Sequence, residues 1–370
     1  MAIFNGSNLR DIIDGTSLAD QIFGGGGDDL LRGGDGDDLI RAGAGFDILE
    51  GGAGNDRLFA DVGSSSLFGG EGSDILVSGT GSDLLNGGNG VDLASYEQAN
   101  GRVVLNLTTG RGLHGDSVDA LVGIENLLGG AFNDALSGDA AANDLYGGRG
   151  ADNLNGLGGN DRVYGQDRDD LVFGQAGNDL LEGGAGNDTL DGGEGVNVLR
   201  GGSGVDTVDY GSLGAGIEVD LAFRGTNMSG NGRFESLAEI EVIRATNSRD
   251  TLVGDAFGNQ FFGRAGNDTI DGGEGDDILS GGAGADLFDF DAAPAHFLAA
   301  VDSGFDRITD FARAEGDLID LRSHHEATDF AALRADARQI GADTLIRLGE
   351  DAIVIEDMAV VDLSAAMFLL

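Results

Sequence analysis

The chain of 370 residues has no cysteine and no tryptophan, a single proline and only 21 Lys plus Arg. Without cysteine there is neither a disulfide framework nor a thiolate metal site, which leaves non-covalent or metal stapling. Scarce basic residues against 65 Asp plus Glu give a formal net charge of −44. Nucleic acid and anionic lipid are excluded as partners, because the phosphate contribution would be repulsive. No apolar run approaches the length of a membrane span. The first ten residues, Met1 to Arg10, lack a basic and then apolar leader, so no cleaved secretory signal is expected. What is abundant is Gly, 69 residues, beside a hydrophobic content of 41% that argues against a solvated coil. Glycine and acid together point to bound cations.

The glycines are periodic. Asp11, Asp20, Asp29, Asp38, Asp47, Asp56, Asp74, Asp83 and Asp92 are spaced by nine, with Ser65 filling the one gap. Two residues after each stands an aliphatic, from Ile13 and Ile22 to Leu76 and Leu85. Stretches such as Gly51-Gly52-Ala53-Gly54-Asn55-Asp56-Arg57-Leu58-Phe59 read G-G-x-G-x-D-x-U-x, with U a large aliphatic. A second array carries Asp134, Asn143, Asp152, Asp161, Asp170, Asp179, Asp188, Asn197 and Asp206, and a third Asp250, Asn259, Asp268, Asp277 and Asp286. Nine-residue repeats over roughly two-thirds of a chain mark a parallel β-helix or β-roll. The arrays are copies of one another: Ile124-Glu125-Asn126-Leu127 matches Ile240-Glu241-Val242-Ile243, and Tyr96 with Val103, Leu105 and Leu107 matches Tyr210 with Ile217, Val219 and Leu221.

The expected fold is all-β, a right-handed parallel β-roll solenoid in about three stacked arrays with β insertions and a C-terminal β-rich cap. The boundaries read as array 1 over 1–95, an insertion over 96–119, array 2 over 120–210, an insertion over 211–235, array 3 over 236–290, and a cap over 291–370. The alternating apolar residues of the insertions predict hairpins that cover the roll.

Six Gly-rich residues make a turn needing positive φ, and three make a short strand with one inward aliphatic. Two nonads complete a coil, so Asp residues eighteen apart stack one strand spacing apart. Two carboxylates about 4.8 Å apart repel by roughly 1 kcal/mol in water and several-fold more at an effective dielectric of 20. A divalent cation between successive turns converts that repulsion into attraction. Carboxylate oxygens and turn carbonyls are hard donors in a roomy arrangement, which selects Ca²⁺ over Mg²⁺ and over thiophilic metals. The twenty column aspartates are the candidate metal ligands: Asp11, Asp20, Asp29, Asp38, Asp47, Asp56, Asp74, Asp83, Asp92, Asp134, Asp152, Asp161, Asp170, Asp179, Asp188, Asp206, Asp250, Asp268, Asp277 and Asp286. Sites beside Ser65, Asn143, Asn197 and Asn259 are expected to be weak, as is the one at Asp170, where Arg168 stands at a glycine position. Glu125 and Glu241 are not expected to ligate.

Gly51 to Phe59, Gly183 to Asp191 and Gly272 to Ser280 resemble the RTX, or haemolysin-type calcium-binding, repeats of Gram-negative exported proteins. Asp306-Arg307-Ile308-Thr309-Asp310-Phe311 and Gly316-Asp317-Leu318-Ile319-Asp320-Leu321 resemble the carboxy-terminal region of serralysin-like members. The resemblance implies a secreted, extracellular or cell-surface protein that leaves through a type I secretion exporter and folds on several calcium ions outside the cell. Asp362 to Leu370 resembles the acidic-then-apolar tail that such exporters read. It does not extend to catalysis. The histidines are His114, His296, His324 and His325, and His324-His325-Glu326 has the wrong spacing for a zinc-protease helix. No G-x-S-x-G elbow occurs, and Asp116-Ser117 beside His114 reads as a polar turn. The chain is therefore expected to be a non-enzymatic calcium-binding protein with a structural or surface role. The alternatives are an RTX-class exoenzyme or enzyme fragment acting on extracellular polysaccharide, and an adhesin.

Overall fold

A computed structural model describes residues 1–222, 226–229, 233–290, 304–322, 324, 327, 329–349 and 351–370. It divides into two compact units, Met1–Gly195 and Val196–Leu370.

In the first unit successive nonads alternate between two parallel sheets. The strand Gln21–Gly26 pairs with Ile3–Asn5 before it and with Leu39–Ala44 after it, placing Ile22 beside Ile40. In the opposite sheet Leu30–Asp35 lies between Ile12–Asp14 and Ile48–Ala53, placing Leu31 beside Leu49. Partners are eighteen residues apart, so a coil is two nonads. The inward aliphatics Ile22, Leu31, Ile40, Leu49, Leu58, Leu67, Leu76 and Leu85 are all at 0% exposure. Each buried side chain of this size contributes about 1.5–3 kcal/mol, and the stack of them is the core. Several strands are six residues long rather than three, because pairing continues through the first glycines of the turn, as at Gly34 beside Gly52.

The first insertion differs from the expected cover. Val103–Asn106, Arg111–His114 and Ser117–Val122 form an antiparallel meander spliced into one sheet. Its last strand pairs with Leu84–Asn89, and its first with Ala135–Ser137, so Leu121 continues from Leu85 and Leu105 leads to Leu136. Val103 and Leu105 join the core at 0% exposure. Alternation fixes which side chains point inward, but not which strands neighbour one another; here the meander runs backwards between two coils.

The second unit repeats this plan. Arg233–Ala238 pairs with Val198–Ser203, and Ile217–Asp220 with Thr251–Val253, flanking Thr226–Ser229. Beyond the last nonad the roll continues into the cap. Phe305–Ile308 stacks on Ile278–Ser280 and Leu318–Asp320 on Leu287–Asp289. Asp351–Ile355 extends the first of these sheets and leads through Asp343–Leu348 to Arg338–Ile340, while Phe368–Leu369 pairs with Leu318–Asp320 in the other. Among the described residues the one α-helix is Phe330–Asp336. His296, His325 and Glu326 lie outside the described residues.

Candidate metal centre

The turn Gly51–Asp56 shows how a complete nonad is built. Gly52 and Gly54 take φ of 117° and 138°, a region where side chains are costly. The turn carries the chain across the edge of the roll and points Asp56 along the stack. One carboxylate oxygen, Oδ1, accepts the backbone N–H of Asp38 at 2.7 Å, and the N–H of Asp56 donates to Asp74 Oδ1 at 2.8 Å. The same eighteen-residue ladder joins Asp11 to Asp29, Asp29 to Asp47 and Asp74 to Asp92. It recurs from Asp134 to Asp152, from Asp161 to Asp179, from Asp170 to Asp188 and from Asp268 to Asp286.

The second oxygen decides the chemistry. Oδ2 of Asp29, Asp38, Asp47, Asp56, Asp74, Asp92, Asp152, Asp161, Asp170, Asp268, Asp277 and Asp286 is buried with no hydrogen-bond donor. A buried charged acceptor left so costs more than the ~1–3 kcal/mol of a neutral one. At the first glycine of such turns a methyl group would press on that oxygen and on a carbonyl of the next coil. Gly51 meets Asp56 Oδ2 and the Gly69 carbonyl, Gly33 meets Asp38 Oδ2 and the Gly51 carbonyl, and Gly165 meets Asp170 Oδ2 and the Gly183 carbonyl. Oxygens converge there without a donor, which fits a hard cation and not another protein group. Among the described residues no three acidic or histidine side chains converge to hold a metal; carbonyl oxygens must complete any ligand set. Burial pushes these carboxylates up, to about 6 for Asp92, Asp152 and Asp161, about 7 for Asp56 and Asp268, and about 8 for Asp170 and Asp277.

A second turn type shares the aspartate phase but closes on itself. Asp11 Oδ2 accepts from the N–H and hydroxyl of Ser7 at 2.6 and 2.9 Å, and Asp20 Oδ2 from those of Thr16 at 2.8 and 2.7 Å. Asp83 accepts from the Gly79 N–H at 3.1 Å, Asp134 from the Gly130 N–H at 2.6 Å, and Asp250 from the Thr246 N–H at 3.0 Å. Asn143 and Asn259 accept likewise from Asp139 and Asp255. In most closed turns the fourth position is not glycine: it is Leu9, Leu18, Phe132, Ala141, Ser248 or Phe257. Asp20 illustrates the effect, its carboxyl held below the usual range by the Ala2 N–H and the Thr16 hydroxyl.

Arg168 does not break its turn. With Gln166 it adopts the left-handed backbone, at φ 82° and 85°, and Asp170 keeps the open arrangement. At the Asp47 turn the first position is Ala42, fully buried, whose methyl stands where the other open turns have glycine. Asp206 is at 0% exposure.

Several column members break the nine-residue spacing and so escape a reading by period. Glu125 Oε2 accepts the Asp92 N–H and Glu241 Oε2 the Asp206 N–H, both at 2.8 Å. Asp119 takes the Asp83 N–H at 2.7 Å, Asp306 that of Asp277 at 3.1 Å, and Asp317 that of Asp286 at 3.0 Å. Fifth-position side chains form another ladder, in which the Asn55 N–H donates to Asp37 and the Ser73 N–H to Asn55, each at 2.8 Å. His114 faces Asp119 at 3.1 Å, and His324 faces Asp351 at 3.4 Å.

Two parallel sheets joined by glycine turns, with one inward aliphatic and one stacked aspartate per nonad, define a calcium-type β-roll. The profile of the RTX calcium-binding nonapeptide repeat matches residues 5–40, 32–67, 68–95, 120–154, 155–190, 182–212 and 253–288. That is more than half of the chain, and the chain belongs to this repeat family, whose repeats bind multiple calcium ions. No curated protein matches it in sequence. Among solved structures the chain is similar to the extracellular lipase LipA from Serratia marcescens, at 22% identity and a TM-score of 0.24. The match covers 56% of this chain and spans 40% of the lipase.

Proposed function

We propose that this protein folds by taking up calcium between successive open turns and that it works outside the cell as a calcium-rigidified structural or surface protein without enzymatic activity. The observation that carries the reading is the row of buried, donorless Oδ2 atoms facing turn carbonyls. The proposed ligands are Asp29, Asp38, Asp47, Asp56, Asp74, Asp92, Asp152, Asp161, Asp170, Asp268, Asp277 and Asp286. Asp179, Asp188 and Asp206 join them by their place in the columns. Asp11, Asp20, Asp83, Asp134 and Asp250, whose second oxygens are already bonded, are proposed to stand outside the set.

When bound, calcium neutralises the carboxylates and bridges neighbouring coils. The residues do the rest: left-handed turn positions aim carbonyls at the edge of the roll, and each Oδ1 anchors the preceding coil. Without a cation the stacked charge favours the unfolded chain. A chain that folds only at the calcium levels of an extracellular medium suits a type I exporter, which passes unfolded polypeptide. Met367 and Phe368, in the tail proposed as the export signal, are buried in the cap, so that signal would be read before folding.

Equilibrium dialysis of the chelator-stripped full chain tests the reading. Several calcium ions should bind together with a gain of β structure, and Asp56→Asn should lower the count. An unchanged count in Asp56→Asn would sink the ligand assignment.

A further inference from the structure

The first insertion brings together Ser78, Tyr96, His114 and Asp119 beside Asp83. Asp119 continues the column from Asp83 and so faces the same charge problem as the other acid-on-acid steps: two stacked, buried carboxylates. Its side chain is at 0% exposure and that of His114 at 10%. Asp119 Oδ1 takes the Asp83 N–H at 2.7 Å, as any column aspartate does. Its Oδ2 receives the hydroxyls of Tyr96 and Ser78, each at 2.8 Å, and lies 3.1 Å from His114 Nε2. The ring also interacts with the Gly81 backbone, and Tyr96 packs edge-on against it at 5.7 Å. An imidazolium that meets a column carboxylate and a turn glycine faces the same kinds of group that line an open turn.

The second insertion supplies a control. Asn197 stands where Asp83 does in the first, and Glu235 where Asp119 does. Tyr210 donates to Glu235 Oε2 at 3.0 Å, and Asn197 Nδ2 to Glu235 Oε1 at 3.0 Å. One carboxylate has become an amide, and residues 211–235 contain no histidine. Histidine is present where two acids stack and absent where one acid stacks on an amide.

We infer that His114 is a built-in cation that replaces calcium between Asp83 and Asp119, making this step of the roll independent of the metal. The Asp119 carboxylate holds the imidazole above its ordinary range against the opposing effect of burial, and Asp83 adds to the rise. The histidine contact is an ion pair rather than a straight hydrogen bond, so the two hydroxyls supply the directional bonds to Oδ2. The inference rests on the calcium reading of the open turns, and the experiment separates the two.

The test uses the full chain in saturating calcium, with melting midpoint and bound-calcium count measured for His114→Gln, Asp83→Asn, the double variant and Asp56→Asn. Removing the cation from a buried pair should lower the midpoint of His114→Gln by about 10 °C. Asp83→Asn, which copies the arrangement at Asn197, should restore most of that loss in the double variant and leave the calcium count unchanged. If His114→Gln does not fold, recovery of folding in the double variant supports the inference equally. Losses that simply add, or a calcium count that falls in Asp83→Asn, would overturn it. A count unmoved by Asp56→Asn would instead refute the calcium reading on which it stands.

Discussion

Asp20 and Asp38 occupy the same column, one coil apart, with the same ladder bond: Oδ1 of Asp20 takes the Ala2 N–H and Oδ1 of Asp38 takes the Asp20 N–H. Their second oxygens are opposite in kind. That of Asp20 is saturated by Thr16, and its carboxyl titrates below the usual range. That of Asp38 is buried without a donor, and burial pushes its carboxyl up. The nine-residue aspartate period therefore fixes one ladder bond but leaves the second oxygen in either of two states. What separates the two turns is local: Thr16 and Leu18 in one, Gly34 and Gly36 in the other. Left-handed backbone at the second and fourth positions accompanies the open turn: Gly34 and Gly36 adopt it before Asp38, Gln166 and Arg168 before Asp170, whereas Gly79 and Gly81 of the closed Asp83 turn do not. In the closed turns the second residue donates its backbone N–H to the second carboxylate oxygen, joined at Ser7, Thr16 and Thr246 by a hydroxyl.

The largest contrast should come from removing one carboxylate of each type. Asp56→Asn is expected to lower the calcium count and to reduce the calcium-saturated melting midpoint by about 5–10 °C, the response of a unit this size to a few kcal/mol. Asp20→Asn should leave the count unchanged and move the midpoint by a few degrees at most. Equal effects of the two would erase the distinction.

A pH titration in chelator should give a smaller effect of unusual sign. Asp56 and Asp268 at about 7, and Asp170 and Asp277 at about 8, hold protons in the folded calcium-free roll that the unfolded chain, near 3.8, has already released. The folded state therefore binds more protons across that window, and its stability rises as pH falls from about 8 towards 4. β Structure measured by circular dichroism in chelator should grow on acidification. Calcium affinity should move the other way, because protons compete for the same oxygens. A calcium-free roll that loses structure on going from pH 8 to pH 5 would contradict the burial of these groups.

Smaller still is the effect of the fourth position. Gly54→Leu puts a side chain in the left-handed region at about 1–2 kcal/mol and should weaken calcium binding at that turn by roughly 10-fold, as read by calorimetry. Leu18→Gly, at an exposed site, should change little. The mildest test is Thr16→Ala, which removes one closing hydroxyl and should cost about 1 kcal/mol, by the same amount with calcium limiting as with calcium saturating.

Most of the architecture is legible in the sequence because side-chain direction in a coil of two nonads has a strict period. The aliphatics from Ile22 to Leu85 could only be core, and the aspartates could only form two columns. The state of each column site was less visible. Asp11 and Asp29 look alike when aligned, and the closing bonds from Ser7 and Thr16 come from four residues upstream. The signal was present in Leu9, Leu18 and Phe132, which break the glycine pattern. Asp119, Asp306 and Asp317 were hidden for another reason: a meander or a cap segment intervenes before each, so the ladder continues in space after the period has lapsed in sequence. Arg168, at a glycine position, nonetheless takes the left-handed backbone of that position.

The central claim, that cations between open turns hold the roll together, is tested most directly by circular dichroism of chelator-stripped protein during a calcium titration at neutral pH, with magnesium as control. The account predicts a cooperative gain of β signal with calcium in the sub-millimolar to millimolar range typical of extracellular modules, and no comparable gain with magnesium. A protein already fully folded in chelator at neutral pH would show that the aspartate columns are not what calcium is needed for, and would contradict the account.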